Sequence, residues 1–420
     1  LNYFHDSVKT IIQRVFEISG LKSVWSNNDG FVKAHNLINS DFGKVYSKRL
    51  EVTVAVKHIN NELLQLTEDL IRIPSTCERS GTILQCADFI AEWLNENSIK
   101  YERYDINGTP SIVVLPSEGV GTKVLLMAHF DVVEVENESL FSPWIEKGSL
   151  YGRGAIDDKY AVALSLLLFR EHLTILQERG LTQEDMCFGL LLTGDEEVGG
   201  SNGAGIVGEK IETDFFIALD GGNPGLIVIK EKGIIRIRLE ATGKAVHAAR
   251  PWLGQNAFDI LIKDYMAIKA LFTEESPDHW HKTVALTRCE AGNGSVNIVP
   301  GRAKAILDIR YPEHDDPEEI IAAIEEVVAG KVVVQDRAAV FFGGESPYFS
   351  LLQKHANGAV FGFEHGSSDA RYLSERNIPG AIWGAVGEMS QHTEEEHIVL
   401  DSLYVMFDSL DAFLRETAGI

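Results

Sequence analysis

From residue 59 onward, short apolar runs rich in β-branched residues alternate with segments of helical periodicity. That alternation constrains the fold more than any other feature of the chain. Runs at Ser111 to Leu115, Lys123 to Ala128, Phe188 to Thr193 and Phe215 to Leu219 read as strands. Amphipathic helices are expected over about Asn60 to Ile73, stopped by Pro74, and over about Gly81 to Asn97. Ala161 to Phe169 is apolar apart from Ser165 and follows a Gly-rich turn, so it is expected on a buried helix. The pattern predicts an α/β domain whose sheet is largely buried.

Between about Gly233 and Phe342 the order changes to strand (Ile234 to Ala241), helix (Asn256 to Phe272), strand (Val284 to Arg288), strand (Ala303 to Tyr311), helix and strand (Val332 to Gln335). This βαββαβ order is that of a ferredoxin-like unit. Its second helix is well marked, with Asp315 or Asp316 as N-cap, Pro317, Glu318 and Glu319 in the first turn and Gly330 at the stop. After Gly343 the α/β pattern resumes. The expected organisation is an N-terminal extension (residues 1–55), one α/β domain (56–232 with 343–420) and a smaller domain inserted at 233–342. Within the extension, Phe4, Val8, Ile11, Ile12 and Val15 recur at helical spacing.

Three strands stop at residues of the types that ligate metals. His129 and Asp131 end one in MAHFDVV, where Asp131 can bond one imidazole nitrogen while the other meets a cation. Asp195, Glu196 and Glu197 follow another in LLLTGDEEVGG, and Asp220 ends a third in FIALDGG. Singly, each has a plain reading: a structural histidine, a solvated acidic turn, a turn aspartate. Jointly they are stronger, because open α/β sheets bind ligands beyond the carboxyl ends of their strands. Asp157 in LYGRGAIDDKY, at a tight turn where a carboxylate can bridge two cations, and His392 in SQHTEEEHI, after an expected strand Ala381 to Val386, extend the set. Two imidazoles and three carboxylates without cysteine suit zinc, with cobalt or manganese as alternatives, and two such ions would form a hydrolytic pair. His279 and His281 in DHWH also resemble a metal pair, but are expected to be surface or interface residues.

AHFDVV, YGRGAIDDK, TGDEEVGG, GKAVHAARPWLGQNA, SVNIVP with DIR, and GSSDARYL resemble, in order, the motifs of the co-catalytic dinuclear zinc metallopeptidase family. That family includes carboxypeptidase G, succinyl-diaminopimelate desuccinylase, acetylornithine deacetylase, aminoacylase and carnosinase-like dipeptidases. The resemblance implies a zinc-exopeptidase-like catalytic domain, a mixed sheet flanked by helices, interrupted by a ferredoxin-like lid that often mediates dimerisation. By position it makes Asp157 the bridging ligand, followed by a cis peptide. Glu197 and His392 would hold one metal, His129 and Asp220 the other. Asp131 would orient His129, Glu196 would be the general base, and His247 would stabilise the oxyanion, from the neighbouring subunit in some members. Asn297, Arg310 and Arg371 match substrate-contacting positions, although an arginine such as Arg310 also suits a structural ion pair. Tyr160 departs from the family's usual Gly and Ala128 replaces its frequent Gly.

In that family the position of Asp220 tends to be Glu in deacylating and carboxypeptidase-type members and Asp in aminopeptidases and dipeptidases. The resemblance therefore implies hydrolysis of small peptides with a free amino end. The alternatives are deacylation of N-acyl amino acids and a non-catalytic metal-binding relative; intact Glu196 speaks against the last. A formal charge of -24, from 62 acidic against 38 basic residues, excludes attraction to nucleic acid or an anionic membrane. No apolar stretch reaches the roughly 18 residues of a bilayer span. The four cysteines lack a C-x-x-C pair and the first twenty residues carry no signal pattern, so a cytoplasmic location is expected.

Overall fold

The computed structural model describes residues 58–79, 81–117, 121–356 and 358–420; the helix expected through Phe4 to Val15 lies outside them. One compact unit spans Leu63–Ile420. Its larger sheet has nine strands. Eight run in the order Glu102–Ile106, Thr109–Val114, Phe188–Thr193, Thr122–His129, Thr213–Ala218, Gly380–Ile382, Leu226–Glu231 and Phe341–Phe342, and Val360–Glu364 pairs parallel to Leu226–Glu231. The strand Thr122–His129 is parallel to both neighbours, opposing His129 to Thr193 and Met127 to Ala218. Its residues 124 to 129 are buried, so it reads as an apolar run rather than an alternating one. The carboxyl ends of these parallel strands therefore meet at one edge, where the loops at 130, 194 and 219 begin.

On one face lie the helices Thr82–Glu96 and Lys159–Glu178. The second is buried from Lys159 through Phe169, which accounts for its apolar sequence. Lys159 at its start is buried because its ammonium donates to the carbonyls of Leu70 (2.9 Å) and Ile73, satisfying the end of the helix over residues 58–71. On the other face Leu125, Met127, Leu191 and Phe216 pack with Ala204, Val207, Ala370 and Leu373.

A second, antiparallel sheet takes Thr283–Ala291, Arg302–Tyr311, Gly233–Thr242 and Lys331–Ala338 in that order. The helices Ala257–Lys269 and Pro317–Val327 supply Leu261, Ile268, Ile320 and Ile324 to a core with Ile235, Ile237, Leu239, Leu307 and Ile309. The first strand lies between the third and fourth, as the βαββαβ order requires. Asp316, not Asp315, caps the second helix, accepting from Glu318 N–H at 2.8 Å. That helix stops at Val327, before Gly330, because the buried Asp264 carboxylate draws the amides of Ala329 (3.0 Å) and Gly330 (2.9 Å) out of it.

The strand expected over Ala381 to Val386 pairs only at Gly380–Ile382. Beyond it, Gly384 packs so closely on the Tyr160 hydroxyl and the Leu219 carbonyl that a side chain there would collide with both. Among the described residues, no helix is long and apolar enough to cross a membrane.

Candidate dinuclear metal centre

The parallel strands carry their terminal residues to a common point. His129 is buried, with Nδ1 3.0 Å from the Asp131 main-chain carbonyl and 3.4 Å from its Oδ1. A proton on Nδ1 leaves the Nε2 lone pair free for a ligand. Asp131 was expected to hold the imidazole through its carboxylate. Besides facing the imidazole, its carboxylate oxygens accept the amides of Glu196 (3.1 Å) and Glu197 (3.0 Å), so it also fixes the turn carrying both glutamates.

The three adjacent acids divide. Asp195 accepts from the amides of Asn202 (2.8 Å) and Gly203 (3.0 Å) at the start of the π-helical turn Ser201–Val207. Glu196 and Glu197 point to the cluster. Gly200, at φ 64°, lies where any side chain would overlap the Asp369 carboxylate.

Asp157 stands between the histidines. Its Oδ1 is 3.0 Å from His129 Nε2 and its Oδ2 3.0 Å from His392 Nε2. His392 Nε2 is also 3.2 Å from Glu197 Oε2, and Asp220 Oδ2 is 3.9 Å from His129 Nε2. Two donor groups result: His129, Glu196 and Asp220, and Asp157, Glu197 and His392. Glu196 thus lies within reach of the first group, where the base expected there has to stand. The peptide between Asp157 and Asp158 is cis.

Whether these residues suit cations is tested by what they lack. Glu197 Oε1 is buried without a hydrogen-bond partner, and the buried His129 Nε2 faces the Asp157 and Asp220 carboxylates, an arrangement a bound ion resolves. Burial, with the Asp369 charge adding to it, pushes Glu196 well above the usual carboxylate range. Burial and then the Asp157 charge raise Asp220 to about 8. Burial would raise Asp157 too, but its bonds to His129 and His392 outweigh it and hold that carboxyl well below the ordinary range. Asp157 and then Glu197 raise His392 to about 10. Donors that hold protons this way are those that divalent cations take over. A third acidic group, Glu274, His314 and Asp315, is partly exposed, and the Lys282 ammonium sits between its carboxylates at 2.7 and 3.0 Å.

The remaining expected residues are not part of this cluster. His247 lies exposed on the ribbon Val246–His247, paired with Ile298–Val299, and its Nδ1 accepts from Ala249 N–H at 3.1 Å. Asn297 adjoins it, its carbonyl accepting from Ala248 N–H at 2.8 Å. Arg310 on the second sheet pairs with Asp308 at 2.6 Å. Arg371 is buried, and its guanidinium donates to the carbonyls of Ser368 and Gly199, both at 2.7 Å. His279 and His281 belong to none of the donor groups: their main-chain carbonyls accept the Lys232 ammonium, each at 2.7 Å, and His281 Nδ1 meets Ser276 Oγ at 3.1 Å.

Sequence reasoning missed three buried polar side chains around the cluster. Tyr160 donates to the Leu219 carbonyl (2.5 Å) and accepts from Ala385 N–H (2.9 Å); its departure from the family's Gly was the available signal. Glu231 accepts from Ser368 N–H (2.9 Å) and Oγ (2.8 Å). Glu396 sits in an acidic run that reads as solvated, yet is fully buried against Arg153.

A parallel-sheet edge carrying two donor groups, with one carboxylate within 3.0 Å of both histidines, is a candidate metal centre. Residues 229–334 match the peptidase dimerisation domain. A succinyl-diaminopimelate desuccinylase of Methylobacterium sp. (strain 4-46) is 30% identical over 392 residues, covering 83% of this chain and 96% of that protein. An M20 family metallo-carboxypeptidase of Sulfolobus solfataricus shares the fold with a TM-score of 0.70 at 19% identity, covering 86% of this chain and all of the other. Human carnosine dipeptidase 1 shares it with a TM-score of 0.65 at 13% identity, covering 87% and 98%. The chain belongs to the M20 family of co-catalytic metallopeptidases and related metal-dependent amidohydrolases.

Proposed function

We propose that the protein is an exopeptidase or dipeptidase that hydrolyses small peptides with a free amino end, using two divalent ions. The carrying observation is the Asp157 carboxylate, with one oxygen 3.0 Å from His129 Nε2 and the other 3.0 Å from His392 Nε2. His129 and Asp220 would hold one ion and Glu197 and His392 the other, with Asp157 serving both. Zinc is the ion this donor set suits best, with cobalt and manganese as alternatives. When bound, the ions supply Lewis acidity to the scissile carbonyl and the attacking water.

Glu196 takes the water's proton and delivers it to the leaving amine. Its raised proton affinity suits a group that must hold that proton between the two transfers. Asp131 keeps Glu196 and Glu197 in place through their amides. Residues 56–232 with 343–420 form the metal domain and 233–342 a lid, with hinges near Lys232 and Gly343. His247, brought in by the lid or by the second subunit of a homodimer, donates to the developing oxyanion. Asn297 and Arg310 contact the substrate from the lid. Arg371 acts on it through the Gly199 turn that its guanidinium grips.

Asp220, where the family's deacylating members tend to carry Glu, supports the peptide reading. A second reading, removal of an acyl group from an N-acyl amino acid by the same residues, is favoured by the 30% identity to a desuccinylase. Turnover of a dipeptide, its N-acetylated form and an N-succinyl amino acid separates them. Preference for the free amine, abolished by chelation and restored by zinc, is expected. Preference for an acylated substrate would transfer the protein to the deacylating branch.

A further inference from the structure

We propose that Glu396 is a positioning residue of the metal centre, fixing the turn that presents Asp157 and tying it to the segment that carries His392. The inference rests on the reading of Asp157 and His392 as metal ligands.

Glu396 Oε1 accepts from the amides of Gly154 (2.8 Å), Asp157 (3.3 Å) and Ile156 (3.4 Å). The other carboxylate oxygen meets the Arg153 guanidinium, and the main-chain carbonyl accepts from Gly152 N–H at 3.0 Å. Three amides converging on one oxygen set the backbone course of residues 154–157, and with it the direction in which the Asp157 side chain leaves the chain. Gly154, at φ 87°, permits the turn this requires. Bonds from amides and a guanidinium to a carboxylate are charge-assisted and stiffer than neutral ones. Glu396 is fully buried and Arg153 nearly so, which leaves no water to replace these bonds.

Glu396 also follows His392 by four residues. One side chain thus couples the shared carboxylate to an imidazole more than two hundred residues away in sequence. A 1 Å error in either would separate donors that lie 3.0 Å apart. No residue of this network is itself among the donors, apart from the Asp157 amide.

The test is zinc and cobalt titration of metal-stripped wild type, Glu396→Gln and Glu396→Ala by calorimetry. Cobalt absorption spectra and urea unfolding of the metal-free proteins accompany it. Wild type is expected to bind two ions. Glu396→Gln keeps an acceptor for the amides but loses the charge opposite Arg153, so it should bind about 10-fold more weakly. Glu396→Ala should lose about 10–100-fold and shift the cobalt bands. Should the alanine variant not fold, the near-isosteric glutamine variant decides. Two ions bound at wild-type affinity with unchanged cobalt bands, even alongside lowered metal-free stability, would make Glu396 merely structural and overturn the inference while leaving the metal site standing. Failure of wild type itself to bind two ions would overturn the reading of the site and the inference together.

Discussion

At the residue scale, environment separates groups that look alike in sequence. Asp195, Glu196 and Glu197 are adjacent carboxylates, yet Asp195 is held by the amides of Asn202 and Gly203 while its neighbours face the donor cluster. Glu196→Gln is therefore expected to lower kcat by about 10²–10⁴-fold, the usual size of general-base catalysis, with two ions still bound in calorimetric titration. Equal turnover by that variant would remove Glu196 from the chemistry. Tyr160 is a second case. Its hydroxyl joins the carbonyl before Asp220 to the amide of Ala385, and Tyr160→Phe leaves both without that partner. A loss of about 1–3 kcal/mol in urea unfolding is expected.

At the element scale, the buried ends of strands carry ionisable groups that couple stability to pH. Glu231 closes the strand Leu226–Glu231, and burial pushes it up to about 7, although its bonds from Ser368 pull the other way. Between about 4.5 and 7 the folded chain keeps a proton that the unfolded chain has released, so the contribution of Glu231 to stability falls as pH rises through that window. Glu231→Gln removes the titration and leaves an oxygen to accept from Ser368. Urea unfolding should find the variant close to wild type near pH 4.5 and relatively more stable at pH 8, by at most about 3 kcal/mol. A difference independent of pH would refute the assignment. The donor strands were legible in sequence because burial on both faces makes them continuous apolar runs. The strand near 381 was overextended because Gly384 and Ala385 are apolar yet turn away to meet Tyr160.

At the scale of the whole molecule, the dimerisation-domain match directs attention to the outer face of the helix Ala257–Lys269. Leu261 and Ile268 face the core, while Phe258, Ile262 and Met266, at four-residue spacing, remain 36%, 46% and 57% exposed. An apolar stripe of this kind suits the second copy of the proposed homodimer. Ile262→Asp is expected to convert a dimer to a monomer in light scattering. If His247 serves the opposite subunit, kcat should fall with it.

The sequence by itself determined which residues could form strands and helices, the βαββαβ order of the second sheet, and the donor types at strand ends. These follow from local periodicity, burial and side-chain chemistry. Tertiary structure alone decided the rest: Asp131 serving the glutamate amides as well as the imidazole, Arg371 committed to main-chain carbonyls, and Glu396 buried beneath Asp157. Each of those outcomes depends on which backbone amide or carbonyl, distant in sequence, arrives beside a charged side chain. Main-chain groups are the same at every residue except proline, so the sequence carries little mark of where they will meet.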